Sequence, residues 1–146
     1  MLAVIGLLVI GGLSSLLGAH TSTASASGLG YRMTLTYPTV TRPGLAIRWI
    51  LVVEHPGGFG GQVTVATTSR YFNLFDFNNL DPVPSSQTST ATDSIWQFDP
   101  PQGDTLTITM DARVEPAQQF GRGATTSLLV KGVPVLDIRY STRILP

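Results

Sequence analysis

The stretch "DTLTITMDARVE", residues 104–115, is the part of the sequence that decides the fold. Apolar side chains fall at every second position from Leu106 to Val114, and polar side chains, mostly threonine, alternate with them. A period of two is that of a β-strand with one buried face, whereas a helix repeats every ~3.6 residues. The stretch therefore predicts a strand whose alternate residues face a core.

The same period recurs along the chain from Tyr31 onward, with glycine and proline turns between the segments. One segment, residues 45–54, is apolar on both faces, which predicts a central strand covered on both sides. The glycine-rich residues 55–61 that follow predict a hairpin loop. Together with residues 104–115, the segments that we expect to be strands are 31–37, 45–54, 62–68, 91–99, 123–132 and 135–145.

About seven short alternating strands predict an all-β protein, because each strand must bury one face against a second layer. We expect an antiparallel β-sandwich over residues 31–146, with Trp49 and Trp96 in its core. The "TRPG" turn before a strand that carries a tryptophan, and the later "PPQGDTLTITM", resemble the bacterial immunoglobulin-like domains of cell-envelope and cell-adhesion-related proteins. The resemblance implies an immunoglobulin-like fold and transfers no functional residue to this chain.

Residues 2–19 are uncharged and almost wholly apolar. As a helix this segment is about 27 Å long, which is close to the roughly 30 Å of a bilayer core. We predict a transmembrane helix at 1–19 that is retained as an anchor, but Ala24-Ser25-Ala26 also fit the cleavage site of a signal peptide. The small polar residues that follow the apolar segment predict a flexible linker at 20–30.

One face of the predicted helix carries small residues, which let a second membrane helix approach closely. We predict that this face packs against a helix of a partner protein. Its residues are Gly11, Ser15, Gly18 and Ala19. Nearby charges do not orient the helix, so an extracytoplasmic position of the C-terminal domain is inferred from the signal-like start and the linker.

The composition excludes several classes of function. Nine Lys and Arg balance nine Asp and Glu, so no field favours nucleic acid or an anionic membrane surface. The chain has no Cys, and therefore no disulfide, thiolate metal site or cysteine nucleophile. His55, beside Glu54, is the only histidine of the predicted domain, and no serine lies in a nucleophile motif. We therefore predict that the protein is not an enzyme.

The stretch "YFNLFDFNNLDPVPSS", residues 71–86, leaves three interpretations open. The spacing of Tyr71, Leu74 and Phe75 predicts one or two helical turns over 70–79 that cap an end of the sandwich. An exposed aromatic cluster would instead form a partner surface, made by Phe72, Phe75 and Phe77. Calcium is the one cofactor that the stretch suggests, and its oxygen ligands would be Asp76, Asn78, Asn79 and Asp81.

These features predict a non-enzymatic module that crosses the cell membrane once and places its C-terminal domain outside the cytoplasm. We expect an accessory or stabilising subunit of a larger membrane protein complex, in contact with an integral membrane protein and with lipid but not with nucleic acid. The alternative is a secreted or anchored envelope domain that adheres to a glycan or cell-wall polymer, with or without calcium. Exposed rings of Trp96 or Tyr71 would favour that alternative.

Overall fold

The computed structural model describes residues 20–77, 80–116 and 120–145. These residues form ten strands and one short helix, so the prediction of an all-β protein is confirmed. In chain order the elements are β1 (His20–Gly28), β2 (Tyr31–Thr41), β3 (Ala46–Glu54), β4 (Val63–Thr68), α1 (Ser69–Phe72), β5 (Phe75–Asp76), β6 (Ser86–Ser89), β7 (Asp93–Phe98), β8 (Thr105–Val114), β9 (Arg122–Val130) and β10 (Val133–Ile144).

The N-terminal segment 1–19 lies outside the described residues. The transmembrane helix predicted there therefore stays a prediction, as does its packing face of Gly11, Ser15, Gly18 and Ala19. Within the three described ranges, no helix has the length and apolar character needed to cross a bilayer.

The structure contains all seven predicted strands and three more. β5 and β6 have two and four residues, and neither shows the alternation that identifies a strand from sequence. The third is β1, which covers most of the stretch predicted as a flexible linker at 20–30. That prediction is wrong, because β1 pairs with β2 along its whole length.

Small side chains explain why β1 is a strand. Ala24 and Ala26 lie opposite Leu35 and Met33 of β2 and are half-buried against the core. A Cβ atom on Gly28 would stand only 3.3 Å from a methyl group of Leu136 in β10. Alanine and glycine at alternate positions therefore allow β1 to fit into the narrow space between β2 and β10. The polar composition of the stretch gives no indication of this strand.

The strands form one continuous sheet in the order β5-β8-β3-β2-β10-β9-β4-β7-β6, with β1 paired to the side of β2. Among the described strands, one pairing is parallel: the end of β10 runs beside the end of β2, with Arg143 opposite Val40. The prediction of a purely antiparallel arrangement is corrected there, because this pairing joins two antiparallel portions into a mixed sheet. We call β1, β2, β3, β5 and β8 the first half and the other five strands the second half.

The sheet curls so that its two halves face each other across one core. Trp49 of β3 meets Trp96 of β7 with ring centroids 6.0 Å apart. The Trp49 indole N–H also donates a hydrogen bond of 3.3 Å to the Tyr140 hydroxyl of β10, which in turn bonds the Thr126 hydroxyl of β9 at 2.9 Å. Both tryptophans are buried, which confirms that they belong to the core. These polar atoms of the core are thus paired with one another, whereas the buried Thr41 Oγ1 has no hydrogen-bond partner among the described residues.

Residues 55–61, predicted as a hairpin loop, connect the two halves instead. β3 pairs with β2 and β8, whereas β4 pairs with β7 and β9, so the loop crosses from one half to the other. β3 is central, as predicted, but no second layer formed by the described residues covers its outer face. Ile50 and Val52 are half-buried there beside threonines of the neighbouring strands.

The curled sheet has two ends, which we call the closed end and the open end. At the closed end, β1 and β9 begin, β2, β8 and β10 finish, and α1 packs against the core. At the open end lie the β1–β2 turn, residues 55–61, residues 99–104 and the β9–β10 turn. The register of β1 and β2 links the two ends, because His20 lies opposite Val40 at the closed end and Gly28 lies opposite Tyr31 at the open end.

Candidate functional site

The predicted helical cap is present at the closed end. α1 contributes Tyr71, and the turn that follows it contributes Leu74 and Phe75, all of which are buried. The Tyr71 hydroxyl donates to Thr142 Oγ1 at 2.8 Å, because the Thr142 hydroxyl hydrogen is itself directed at the carbonyl oxygen of Pro38. The interpretation of this stretch as a cap is confirmed.

The interpretation of the same stretch as a partner surface is wrong for two of its three rings. Phe72 packs edge-on against Trp49 and Trp96, with ring centroids 5.5 and 5.4 Å away. Phe75 is also buried, and its ring centroid is 5.2 Å from that of Tyr71. Phe77 is half-buried and lies 6.1 Å from the Phe72 ring. A single helical turn directs successive rings toward one core, so the exposed cluster that we expected does not form.

Burial also changes the acid–base chemistry of two tyrosines at this end. Loss of hydration raises the pKa of the Tyr71 phenol well above its ordinary value, and the hydrogen bond with Thr142 offsets part of that rise. Desolvation raises the pKa of the Tyr140 phenol in the same way. Because the rings of Tyr71 and Trp96 are buried, neither can serve as the glycan platform considered above.

Half of the proposed calcium ligands can be placed. Asp76 is exposed on β5 opposite Arg113 of β8, and the backbone of Asp81 exchanges two hydrogen bonds with Thr109. Asn78 and Asn79 lie outside the described residues. Across the described ranges, no three His, Asp or Glu side chains come together in a way that could hold a metal ion. Calcium binding therefore stays a prediction.

His55 lies at the open end, between two aromatic rings. Its ring centroid is 4.2 Å from that of Tyr31 and 6.0 Å from that of Phe59. Its Nδ1 is 2.6 Å from the carbonyl oxygen of Gly58, which can only accept a hydrogen bond, so Nδ1 is the protonated nitrogen. These contacts hold the β3–β4 loop in place. Glu54, its neighbour in sequence, points instead along the outer face of the sheet, opposite Arg32.

A cleft of about 470 Å³ opens beside this loop, and the sequence analysis did not find it. The Tyr31 and Phe59 rings line one side, and the β9–β10 turn lines the other. Val63 and Leu128 add apolar surface from the edge of the core. Lys131 is the one residue with a formal charge among those that line it. A cleft that combines apolar and polar walls with a single charge favours a neutral ligand with both apolar and polar groups.

Two hairpin turns project from the same end. Leu29 and Gly30 have φ angles of 52° and 83°, and Lys131 and Gly132 have φ angles of 53° and 79°. Two successive residues with positive φ define the tight turn that asparagine and glycine favour. Leu29 is 77% exposed and Val133, next to the second turn, is 60% exposed. The open end thus presents an apolar side chain in an unfavourable backbone conformation to solvent.

The sequence carries a weak signal for these turns. Each consists of two residues ending in glycine, "LG" at 29–30 and "KG" at 131–132, between alternating segments. In these turns leucine and lysine occupy the position at which asparagine is usual. The first turn therefore looks like part of the predicted linker. The cleft has no local signal, because its walls come from segments about 30 to 100 residues apart in the chain.

Comparison of the sequence with protein-family models and with curated proteins finds no match.

Proposed function

We propose that the chain is a membrane-tethered, extracytoplasmic, non-enzymatic immunoglobulin-like β-sandwich that acts as an accessory subunit of a larger membrane protein complex. The open end is its partner surface. The strand order supports the immunoglobulin-like part of the proposal: β2, β3, β8 and β5 lie on one side of a tryptophan-containing core, and β10, β9, β4 and β7 lie on the other.

The observation that carries this proposal is the exposed Leu29 at the tip of the β1–β2 turn. A leucine with positive φ costs about 1 kcal/mol relative to a residue that suits the turn. Its exposed side chain adds no burial that would offset the cost. Strain combined with an exposed apolar group is typical of a site kept for binding. Val133 and the cleft beside it extend the surface.

The direction of the chain supports the same arrangement. Residues 1–19 join β1 at His20, at the closed end, and β1 then runs about 30 Å to the open end, at roughly 3.3 Å per residue. A body tethered at its closed end presents the open end away from the bilayer. The partner surface would therefore meet the part of a membrane protein that projects from the membrane.

The side chains with catalytic potential have structural roles in the described ranges. His55 fastens a loop through Gly58, and the phenols of Tyr71 and Tyr140 bond threonine hydroxyls inside the core. These roles support a protein that works through its surfaces.

Substitution of Leu29 by asparagine tests the proposal, because asparagine suits the turn and removes the apolar contact. The full chain with Leu29→Asn, purified from its native membrane in mild detergent, should keep its fold and lose a co-purifying membrane protein. Val83→Asn is the matched control, because Val83 is 71% exposed but lies outside the open end. Equal recovery of the partner with both variants, or a chain that runs alone without substitution, contradicts the proposal.

One observation favours the glycan-binding alternative. The rings of Tyr31 and Phe59 are half-buried and line the cleft, so each keeps surface on which a sugar ring could stack. Binding of cell-wall polymer that Phe59→Ala abolishes and Leu29→Asn leaves unchanged would favour this function over the first.

A further inference from the structure

We propose that the closed end is a docking surface for the anionic headgroups of a phospholipid membrane. The proposal rests on the proposed function, since it takes the apolar segment 1–19 to lie in that bilayer. It adds that the folded domain sits directly on the membrane surface, with its arginines against the headgroups.

Five arginines gather at the closed end although the net charge of the chain is zero. Arg143 lies opposite Val40, the β-strand partner of His20, and Arg122 lies opposite Thr142. Arg42 follows Thr41, whose carbonyl oxygen accepts the Leu145 N–H. The remaining two are Arg113, which donates a hydrogen bond to the Gly44 carbonyl oxygen at 3.2 Å, and Arg70 on α1.

Acidic side chains at this end are fewer. Asp76, Asp93 and Glu115 are the described carboxylates near these arginines. Asp111 is not available to them, because it forms an ion pair of 2.6 Å with Arg48 on the outer face of the first half. At the open end the balance is reversed, since Glu54, Asp99 and Asp104 lie there with Arg32 and Lys131. Folding thus separates charges that the composition balances.

A second feature of the closed end fits a bilayer surface better than water. Phe120, two residues before β9 and Arg122, is 78% exposed. Aromatic rings next to basic side chains are typical of the membrane–water interface, where the ring enters the headgroup layer and the cation stays at its surface.

The point at which the apolar segment leaves the domain gives an independent argument. His20 is the first residue of β1, and its carbonyl oxygen accepts a hydrogen bond of 3.1 Å from the Thr39 hydroxyl of β2. Among the described residues, the chain is therefore part of a strand from His20 onward, with no linker before β1. A bilayer that holds the apolar segment therefore lies close to Arg143, which is opposite Val40, the strand partner of His20. Arginines within a Debye length of about 10 Å from an anionic surface each favour binding about five-fold.

The absence of cysteine from the chain allows a direct test in the full-length protein. Phe120→Cys carries an apolar, environment-sensitive fluorophore in place of the ring, and the chain is reconstituted into vesicles of zwitterionic lipid with or without 30% phosphatidylglycerol. We expect the label to shift to the blue and to be quenched by brominated lipid in the anionic vesicles. Combining Arg122→Gln with Arg143→Gln should lower the docking equilibrium constant roughly 25-fold. The matched pair Arg32→Gln with Lys131→Gln should leave it unchanged.

Flotation of the vesicles separates the two proposals. If the chain floats with both vesicles but the label responds to neither lipid charge nor the arginine substitutions, the docking surface is disproved and the tether stands. If it floats with anionic vesicles alone and is released by 1 M salt, docking stands and the tether fails. Flotation with neither vesicle disproves both. A label at Val133→Cys, at the open end, should report water in every case.

Discussion

The two ends of the molecule contain similar residues but bury them to different extents. Both are rich in aromatic side chains: Tyr71, Phe72 and Phe75 at the closed end, and Tyr31 and Phe59 at the open end. The first three are buried and the other two are half-buried along a cleft. The difference is in the backbone, because a helical turn directs its rings into the core, whereas glycine-rich loops hold theirs at the rim.

Hydrogen bonding follows the same division. At the closed end, the Tyr71 and Thr142 hydroxyls form a buried pair. At the open end, His55 bonds a loop carbonyl. In the described part of the chain, the two residues other than glycine with positive φ, Leu29 and Lys131, are also at the open end. Less favourable backbone conformations at non-glycine residues are therefore confined, within the described ranges, to the open end.

The largest expected effect comes from removing one ring at each end. Phe72→Ala should lower the free energy of unfolding by about 3–5 kcal/mol, because the cavity lies between Trp49 and Trp96. Phe59→Ala, its matched substitution at the open end, should cost about 1 kcal/mol, because its ring is already partly hydrated. Chemical denaturation monitored by tryptophan fluorescence measures both. Equal losses would show that the two ends do not differ as described.

Alkaline pH should weaken the closed end next. Burial raises the pKa values of the Tyr71 and Tyr140 phenols in the folded state. In the unfolded chain both phenols lose their protons near pH 10, whereas the folded protein still retains them at that pH. Their contribution to stability is complete below about pH 10 and is lost as the pH rises further, by about 1.4 kcal/mol per pH unit for each phenol.

The measurement is denaturant unfolding between pH 8 and 12, with amide exchange to locate the opening. Exchange should rise first at α1 and at the end of β10. Tyr71→Phe should reduce the slope above pH 10 at a cost of about 1 kcal/mol at neutral pH. A slope that is the same with and without Tyr71 would contradict this explanation.

The contrast between the ends also explains which features of the structure can be predicted from the sequence. Alternation identifies each strand that has a buried face, as in residues 104–115, and the spacing of Tyr71, Leu74 and Phe75 identifies the cap. β1 was missed because its inward residues are small, so that its alternation carries almost no hydropathy signal. The open-end cleft and the arginines of the closed end were missed for another reason. Strand register brings their residues together from segments that are distant in the chain. A composition with zero net charge does not indicate where in the fold each charge lies.

The smallest expected effect is a gain of stability at the open end. Asparagine adopts positive φ more easily than leucine or lysine, so Leu29→Asn and Lys131→Asn should each raise the free energy of unfolding by about 0.5–1 kcal/mol. The melting temperature of each variant measures this. Leu29→Val should do the opposite, since a β-branched side chain disfavours that conformation. If Leu29→Asn stabilised the domain and left partner binding intact, the exposed leucine would have no role in recognition. If Leu29 is retained for binding, Leu29→Asn should both stabilise the domain and abolish partner binding. Only that combination shows that the leucine lowers the stability of the turn and contributes a contact with the partner.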